Sequence, residues 1–337
     1  MKKMLFVFNP NSGKAKIKNV LLNIIQILSE ADYEITVYPT RAARDGYRYI
    51  LGNQGKYDVI ACSGGDGTVN EAVAAVLRYK GKKPPIAYIP SGTTNDFATS
   101  LNIPKDMISA AHNIAEGVPM KIDIGLVNRK RTFNYVAAFG AFTKVSYATP
   151  QSLKNILGHQ AYVVEAVKSL STLTPYRMKI ETDGRQIVDS FIFGMVSNTD
   201  SVGGVKGITG NAVDLRDGLF EVVLVKEIKN PLELQQLITA LVTQNLDKSD
   251  LICTFKTKKI KFVSEEPVKW TLDGEFGGQH KTVTFDVLKR AVEFIVKPKK
   301  KHDKITGITQ HADTAGVIDA TEAVKEVDAA SSDDNEY

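Results

Sequence analysis

Apolar and polar positions along this 337-residue chain follow one rhythm up to about residue 125 and another beyond it. In the first stretch, short apolar runs at Met4–Phe8, Glu34–Tyr38, Val59–Cys62 and Ile86–Ile89 read as strands. Between them lie helical spacings. Ile17, Val20, Leu21, Ile24, Ile25 and Leu28 predict a helix over 17–29, and two more are expected over 42–51 and 69–79. Strand alternating with helix argues for a parallel sheet covered on both faces, whose ligands bind beyond the carboxyl ends of the strands.

From about residue 126 the pattern turns to β. Strands are expected at 176–181 and 186–195, flanking an Asp183-Gly184 hairpin signal, and at 220–225, 258–263, 268–272, 282–287 and 291–296. Helical stretches interrupt at 153–170 and 231–244. The fold class is therefore α/β: a parallel-sheet domain over 1–125, then a β-rich, antiparallel, sandwich-like domain over 126–300. The last segment of that second domain is able to return to the first.

Chemistry concentrates in the first domain. The run Val59-Ile60-Ala61-Cys62 stops at Gly64-Gly65-Asp66-Gly67, and Thr68 with Glu71 matches a capping box that opens a helix. Strand, glycine turn and helix start place bare amides and a positive helix end together, which makes an anion site with phosphate as its usual occupant. A bare carboxylate would repel phosphate, so Asp66 makes sense only if a metal ion or a hydroxyl shares the site, as in phosphoryl transfer. Two other polar, glycine-bearing loops follow strands in the same domain: Asn9-Pro10-Asn11-Ser12-Gly13-Lys14 and Ser91-Gly92-Thr93-Thr94-Asn95-Asp96. If the loops adjoin, Asp66 and Asp96 suit magnesium, which prefers hard oxygens. Asp96 would otherwise cap a helix beginning near Phe97.

The net charge of +5 conceals an asymmetry. Residues 1–300 carry 40 basic against 29 acidic side chains, while 301–337 read as a disordered acidic tail. A basic body suits phosphate ligands, an anionic membrane surface or nucleic acid. No interleaved aromatic and basic motif supports nucleic acid, and none is expected as a partner. Two distant cysteines, Cys62 and Cys253, in apolar runs fit a reduced compartment and small core residues. No apolar run approaches bilayer length, and Met4–Phe8 is too short for a signal segment. The expectation is a cytoplasmic protein, or one lying on a membrane surface without spanning it.

Five ordered stretches, NPNSGK at 9–14, GGDGTVNE at 64–71, SGTTNDFA at 91–98, DLRDGLFEV at 214–222 and WTLDGEF at 270–276, resemble the diacylglycerol kinase catalytic-domain family in its soluble bacterial lipid kinase branch. The likeness runs through residues 1–297. It implies an NAD-kinase-like nucleotide domain followed by the β-rich domain, with ATP and lipid meeting in the cleft between them. It implies ATP contacts at Asn9, Pro10, Asn11, Ser12, Gly13, Thr40, Gly64, Gly65, Asp66, Gly67, Thr68, Val69, Asn70 and Thr94. Lys14 would add positive charge. Asp66 and Asp96 would hold the catalytic magnesium. Glu275 would be the general base that takes the lipid hydroxyl proton, although Asp273-Gly274 is also an ordinary hairpin dipeptide. Asp273 would orient that base or contact phosphate, and Asp123 is left unassigned. A second, structural Mg2+ would be held by the Asp217 side chain with backbone oxygens of Asp214 and Leu219, although Arg216 puts a cation beside it.

The function so implied is ATP-dependent phosphorylation of diacylglycerol at the inner membrane surface, by a peripheral, cytoplasmic enzyme that is dimeric by resemblance. Another lipid alcohol (a sphingoid base, phosphatidylglycerol or undecaprenol) remains open as acceptor. NAD kinase fits less well, because Asn95-Asp96-Phe97-Ala98 follows the lipid-kinase pattern.

Overall fold

The computed structural model describes residues 1–140, 174–199, 201–202, 205–206, 214–243, 246 and 249–298. The helix expected over 153–170 and the acidic tail lie outside these residues. The chain forms two units. One comprises Met1–Ile122 with the segment from Lys289 onward, and the other comprises Asp123–Leu288.

In the first unit β1 (Lys2–Phe8), β2 (Tyr33–Pro39), β3 (Val59–Gly64) and β4 (Ile86–Pro90) form a parallel sheet in the order β2-β1-β3-β4. Helices α1 (Ile17–Glu30), α2 (Asp45–Gly52), α3 (Asp66–Leu77), α4 (Asp96–Ser100) and α5 (Met107–Ala115) connect and cover it. β1, β3 and β4 are apolar nearly throughout, with Met4–Val7, Ile60–Cys62 and Ile86–Ile89 almost fully buried. Parallel strands covered on both faces read as such runs. α1 keeps Ile17, Ile24 and Leu28 inward, as its spacing predicts.

Two expectations fail here for one reason. The strand-to-helix turn after β3 is shorter than a capping box needs. β3 ends at Gly64, α3 starts at Asp66, and Gly65 is the cap, so Thr68 already lies in the first turn. Glu71 is thereby freed to serve α2, where its carboxylate accepts from Arg44 N at 2.7 Å and Tyr47 N at 3.2 Å. α2 needs this, because its own cap, Arg44, is left-handed and offers no side-chain acceptor. α2 begins at Asp45 rather than Ala42, where the Asp45 carboxylate turns back to accept from Arg41 N at 2.8 Å.

In the second unit the strands are β5 (Val118–Val127, from Asp123), β6 (Arg131–Phe133), β7 (Val136–Gly140), β8 (Tyr176–Thr182), β9 (Arg185–Ser197), the short pair β10 (Ser201–Val202) and β11 (Val205–Lys206), β12 (Phe220–Lys226), β13 (Ile252–Thr257), β14 (Lys259–Leu272) and β15 (Glu275–Val296, to Leu288). Helix α6 (Pro231–Val242) is capped by the Asn230 side chain. The main sheet is antiparallel, in the order β13-β12-β9-β7-β14-β15, and β8 shares the lane of β7 between β9 and β14. The strands expected at 258–263 and 268–272 are one strand, β14, whose register shifts between Val263 and Val268. Those expected at 282–287 and 291–296 are likewise one, β15, interrupted only by left-handed Arg290. Beyond Lys289 its end pairs parallel with β4, Phe294 opposite Ile86. Trp270 centres the core, 4.9 Å from Phe139, 5.0 Å from Phe262 and 4.9 Å from Phe285.

Glu221 and Lys256 face each other across β12 and β13, with Lys256 Nζ 2.9 Å from the Glu221 carboxylate and 3.3 Å from that of Asp217. Burial pushes the Glu221 carboxyl up, and Lys256 pulls it part of the way back. Burial lowers the Lys256 ammonium, but Glu221 and Asp217 outweigh it and raise it. Lys256→Met therefore strands a buried charge. It costs about 2–3 kcal/mol at neutral pH, less than a fully buried pair because the lysine meets solvent. Denaturant unfolding checks this: Glu221→Gln in the same chain restores most of the loss. Because the folded pKa of Glu221 is raised, the Lys256→Met deficit shrinks as pH falls below that value and the carboxyl takes up a proton.

Candidate active site

In the first unit the loops after β1, β3 and β4 touch backbone to backbone. A Cβ on Gly13 would lie 1.8 Å from the Ser91 carbonyl oxygen, and one on Gly92 would lie 2.5 Å from the α-carbon of Gly65. Ser91 N donates to Gly64 O at 2.9 Å, and Ser63 Oγ donates to Ser91 Oγ at 3.2 Å. The loops do adjoin. Only glycine permits such an approach at Gly13, where φ is +53° as well.

Each loop is held by its own polar side chains. Asn9 N donates to Ser63 O at 2.9 Å, and its Oδ1 accepts from Asn11 N at 2.9 Å across Pro10. Ser12 N closes the turn on Asn9 O at 3.3 Å. Gly13, Lys14 and Ala15 are then left-handed in succession, a strain of about 1–2 kcal/mol for each non-glycine. Lys14 itself is exposed. In the third loop Asn95, left-handed and buried, accepts from Gly92 N at 3.0 Å and donates to Gly92 O at 2.9 Å. Asn95 was missed as a functional residue in the sequence, although Asn at Gly-x-x-Asn spacing is a residue type that tolerates this conformation.

Asp66 joins two of the loops, since its Oδ1 accepts from Phe97 N at 3.3 Å in the first turn of α4. Asp96 is not the cap of that helix. It is the first helical residue, buried, and Asn95 occupies the cap position. Tyr88 lies beneath, its phenol pushed well up by burial first and by the Asp66 charge second, so it stays neutral and donates to Gly64 O at 3.2 Å. Thr68 folds over Gly64, Val69 is buried and Asn70 half-buried in α3. Thr40 follows β2 with its N–H on Phe8 O at 2.9 Å, and Thr94 is exposed in the third loop. α3, capped by a glycine with no side chain, presents its positive end at this junction. The arrangement can cradle a polyphosphate beside two carboxylates.

The second unit holds the other candidates. Asp273 and Gly274 have φ of 49° and 85°, the mirror-image turn of a two-residue hairpin. The Asp273 carboxylate accepts from Asn134, Tyr135 and Val136 N at 2.7, 3.0 and 3.1 Å. It anchors the hairpin that carries Glu275, and with both oxygens accepting from backbone amides it is poorly placed for the expected contact with phosphate. Glu275 follows, exposed. Asp123, unassigned from the sequence, is almost fully buried: it accepts from Gly218 N at 2.6 Å and donates its N–H to Leu215 O at 2.8 Å, clamping the 214–219 loop. In that loop Arg216 turns onto Asp214, with Nε 3.1 Å from Oδ1. Asp217 Oδ1 accepts from Leu219 N at 2.9 Å, and its Oδ2 meets Lys256. Among the described residues no group of three or more acidic, His or Cys side chains gathers to bind a metal.

Comparison with known proteins agrees with this architecture. A model of the diacylglycerol kinase catalytic domain matches residues 3–127, and one of the YegS C-terminal NAD kinase beta sandwich-like domain matches 136–296. Diacylglycerol kinase of Bacillus subtilis is 33% identical over 307 residues, covering 90% of this chain and 99% of that one. The chain belongs to the diacylglycerol kinase family. It is an enzyme, a kinase of the transferase class, and the family implies ATP as phosphate donor. The relative from Staphylococcus carnosus is 33% identical over 82% of this chain and 90% of its own. A crystal structure from Bacillus anthracis, provisionally named a diacylglycerol kinase, superposes with a TM-score of 0.73 at 26% identity, covering 88% and 96% of the two chains.

Gly92→Ala separates the loops. Overpacking of this kind costs about 1–3 kcal/mol of stability, and ATP affinity falls at least about tenfold, or about 1.4 kcal/mol. Gly52→Ala is the control, because a Cβ there meets nothing within 4 Å. Titration with a fluorescent ATP analogue alongside denaturant unfolding checks both.

Proposed function

We propose that this chain transfers the γ-phosphoryl group of ATP to the free hydroxyl of diacylglycerol, giving phosphatidic acid at the inner membrane surface. The backbone-packed junction of three strand-end loops in the first unit carries the reading, with Asp66 beside the uncapped end of α3. The relatives named diacylglycerol kinase support the choice of acceptor. No described helix is long and apolar enough to cross a membrane.

Residues 9–13, Thr40, 64–70 and Thr94 bind ATP in this account, through backbone amides and Thr hydroxyls. The hard oxygens of Asp66 and Asp96 suit magnesium. When bound, that ion offsets negative charge on the phosphoryl group being transferred. Glu275 accepts the proton of the lipid hydroxyl as that oxygen forms its bond to phosphorus and the bond to the ADP oxygen breaks. Its exposed position on a fixed hairpin and the match of Leu272–Glu275 to the family pattern support this role. A second magnesium at Asp214, Asp217 and Leu219 would need Lys256 to turn off Asp217, and no step is routed through it.

Radiolabelled ATP and magnesium, given in parallel to diacylglycerol, sphingosine and NAD, test the reading. Label is expected in phosphatidic acid, and label in NADP or sphingosine phosphate alone would refute it. Glu275→Gln should bind ATP normally while turnover falls at least about 10²-fold, the usual scale for a lost base. Undiminished turnover in that variant would assign the proton elsewhere.

A further inference from the structure

Beside Glu275 stands Phe276, the one phenylalanine among the exposed large hydrophobic side chains of the described residues, with 64% of its surface in solvent. Single exposed apolar side chains are ordinary on protein surfaces. This one differs because its backbone is fixed. Behind it the turn is locked by the three amides on Asp273, and its own carbonyl accepts from Arg131 Nη1 at 3.3 Å. Ahead of it Gly277 is packed so closely that a Cβ would lie 2.8 Å from Leu272 Cγ and 3.1 Å from Trp270 O. The ring is thus presented to water on a hairpin whose backbone is held in place. Neighbouring positions on a strand point to opposite faces, and both Glu275 and Phe276 are exposed, so the tip of the hairpin stands clear on both sides.

One cation meets the tip directly: Arg131, exposed, donates from Nη1 to the Phe276 carbonyl at 3.3 Å. Arg129, Lys130 and Arg131 form and follow the turn between β5 and β6, all three exposed. An exposed aromatic ring beside an exposed arginine is complementary to an anionic lipid surface, where the ring exchanges water for acyl chain and the guanidinium meets head groups.

We propose that Phe276 is the lipid-surface contact of the second unit, entering the membrane at a depth set by the charge of its neighbour Glu275. The partner is a bilayer of anionic phospholipid containing diacylglycerol. The proposal rests on the lipid-kinase reading, and it explains how a hydroxyl embedded at the level of the head groups is reached by a carboxylate that itself stays wet.

The test is binding without nucleotide, so that it does not depend on turnover. The full chain is sedimented with vesicles of phosphatidylcholine, phosphatidylglycerol and diacylglycerol. Phe276→Ser should lower the partition coefficient about tenfold, equivalent to about 1.4 kcal/mol, with an unchanged unfolding midpoint. Phe276→Leu should recover most of the binding. Phe276→Trp should bind and show an emission shift to the blue on adding vesicles, over the constant signal of buried Trp270. Partitioning of Phe276→Ser equal to the parent, or a tryptophan at 276 that stays in water on bound vesicles, overturns the proposal. Failure of the kinase reading looks different: vesicles bound through position 276, but no lipid labelled.

Discussion

Two α-carbons without side chains, Gly65 and Gly92, meet where the loops after β3 and β4 cross, and the nucleotide-binding half of the molecule depends on that contact. The strands bring it about. β3 and β4 run parallel and in register to their last residues, Gly64 opposite Pro90, so their loops leave side by side. Any Cβ at Gly92 would push the loops apart and take Asp66 away from the first turn of α4. The loop after β1 is pinned to the same place, Gly13 against the Ser91 carbonyl. Three chain segments far apart in sequence thus meet at one junction. The strain of the left-handed run 13–15 persists because the surrounding contacts over-determine it.

The acidic side chains of the second unit divide by what they touch. Asp123 and Asp273 are buried and turned onto backbone amides, where a carboxylate stabilises a loop and a hairpin. Glu221 is buried against Lys256. Glu275 alone of this set lies exposed, two residues from the amide-bound Asp273 that fixes the hairpin under it. A group held by a rigid neighbour and still open to solvent can exchange a proton. The buried carboxylates, with their oxygens accepting hydrogen bonds or a counter-ion, cannot do so without breaking structure. Asp183, Glu265 and Glu266 are exposed as well, so the proposal of Glu275 as base rests on its held hairpin and on the match of 272–275 to the family pattern.

Much of this was legible in the sequence, and the failures have separate physical causes. Apolar runs located β1, β3 and β4 because those parallel strands are buried on both faces, and Asp183-Gly184 marked its hairpin because that turn needs a left-handed residue, here Gly184. The GGDGT and SGTTND loops stood out through glycine and small polar residues, and the structure brings them together. What could not be read were partnerships across long separations. Glu71 fits a local capping box equally well, and only the fold shows it serving α2, 27 residues earlier. Asp123 offers no local sign that its partner is Gly218, 95 residues away. The two long strands were each divided in two because the register shift after Val263 and the left-handed Arg290 look, in sequence, like ends. α4 was expected only as a helix beginning near Phe97, being a single turn of five residues, and α5 went unpredicted because its nine residues carry no long stripe.

The central claim is that three glycine-built loops act as one phosphate cradle, and amide hydrogen exchange with and without ATP and magnesium tests it most directly. The account predicts that peptides covering 9–16, 63–70 and 91–97 become protected together, at one ATP concentration and by one titration curve. Protection confined to a single loop, or appearing at other segments while these three exchange unchanged, would contradict it.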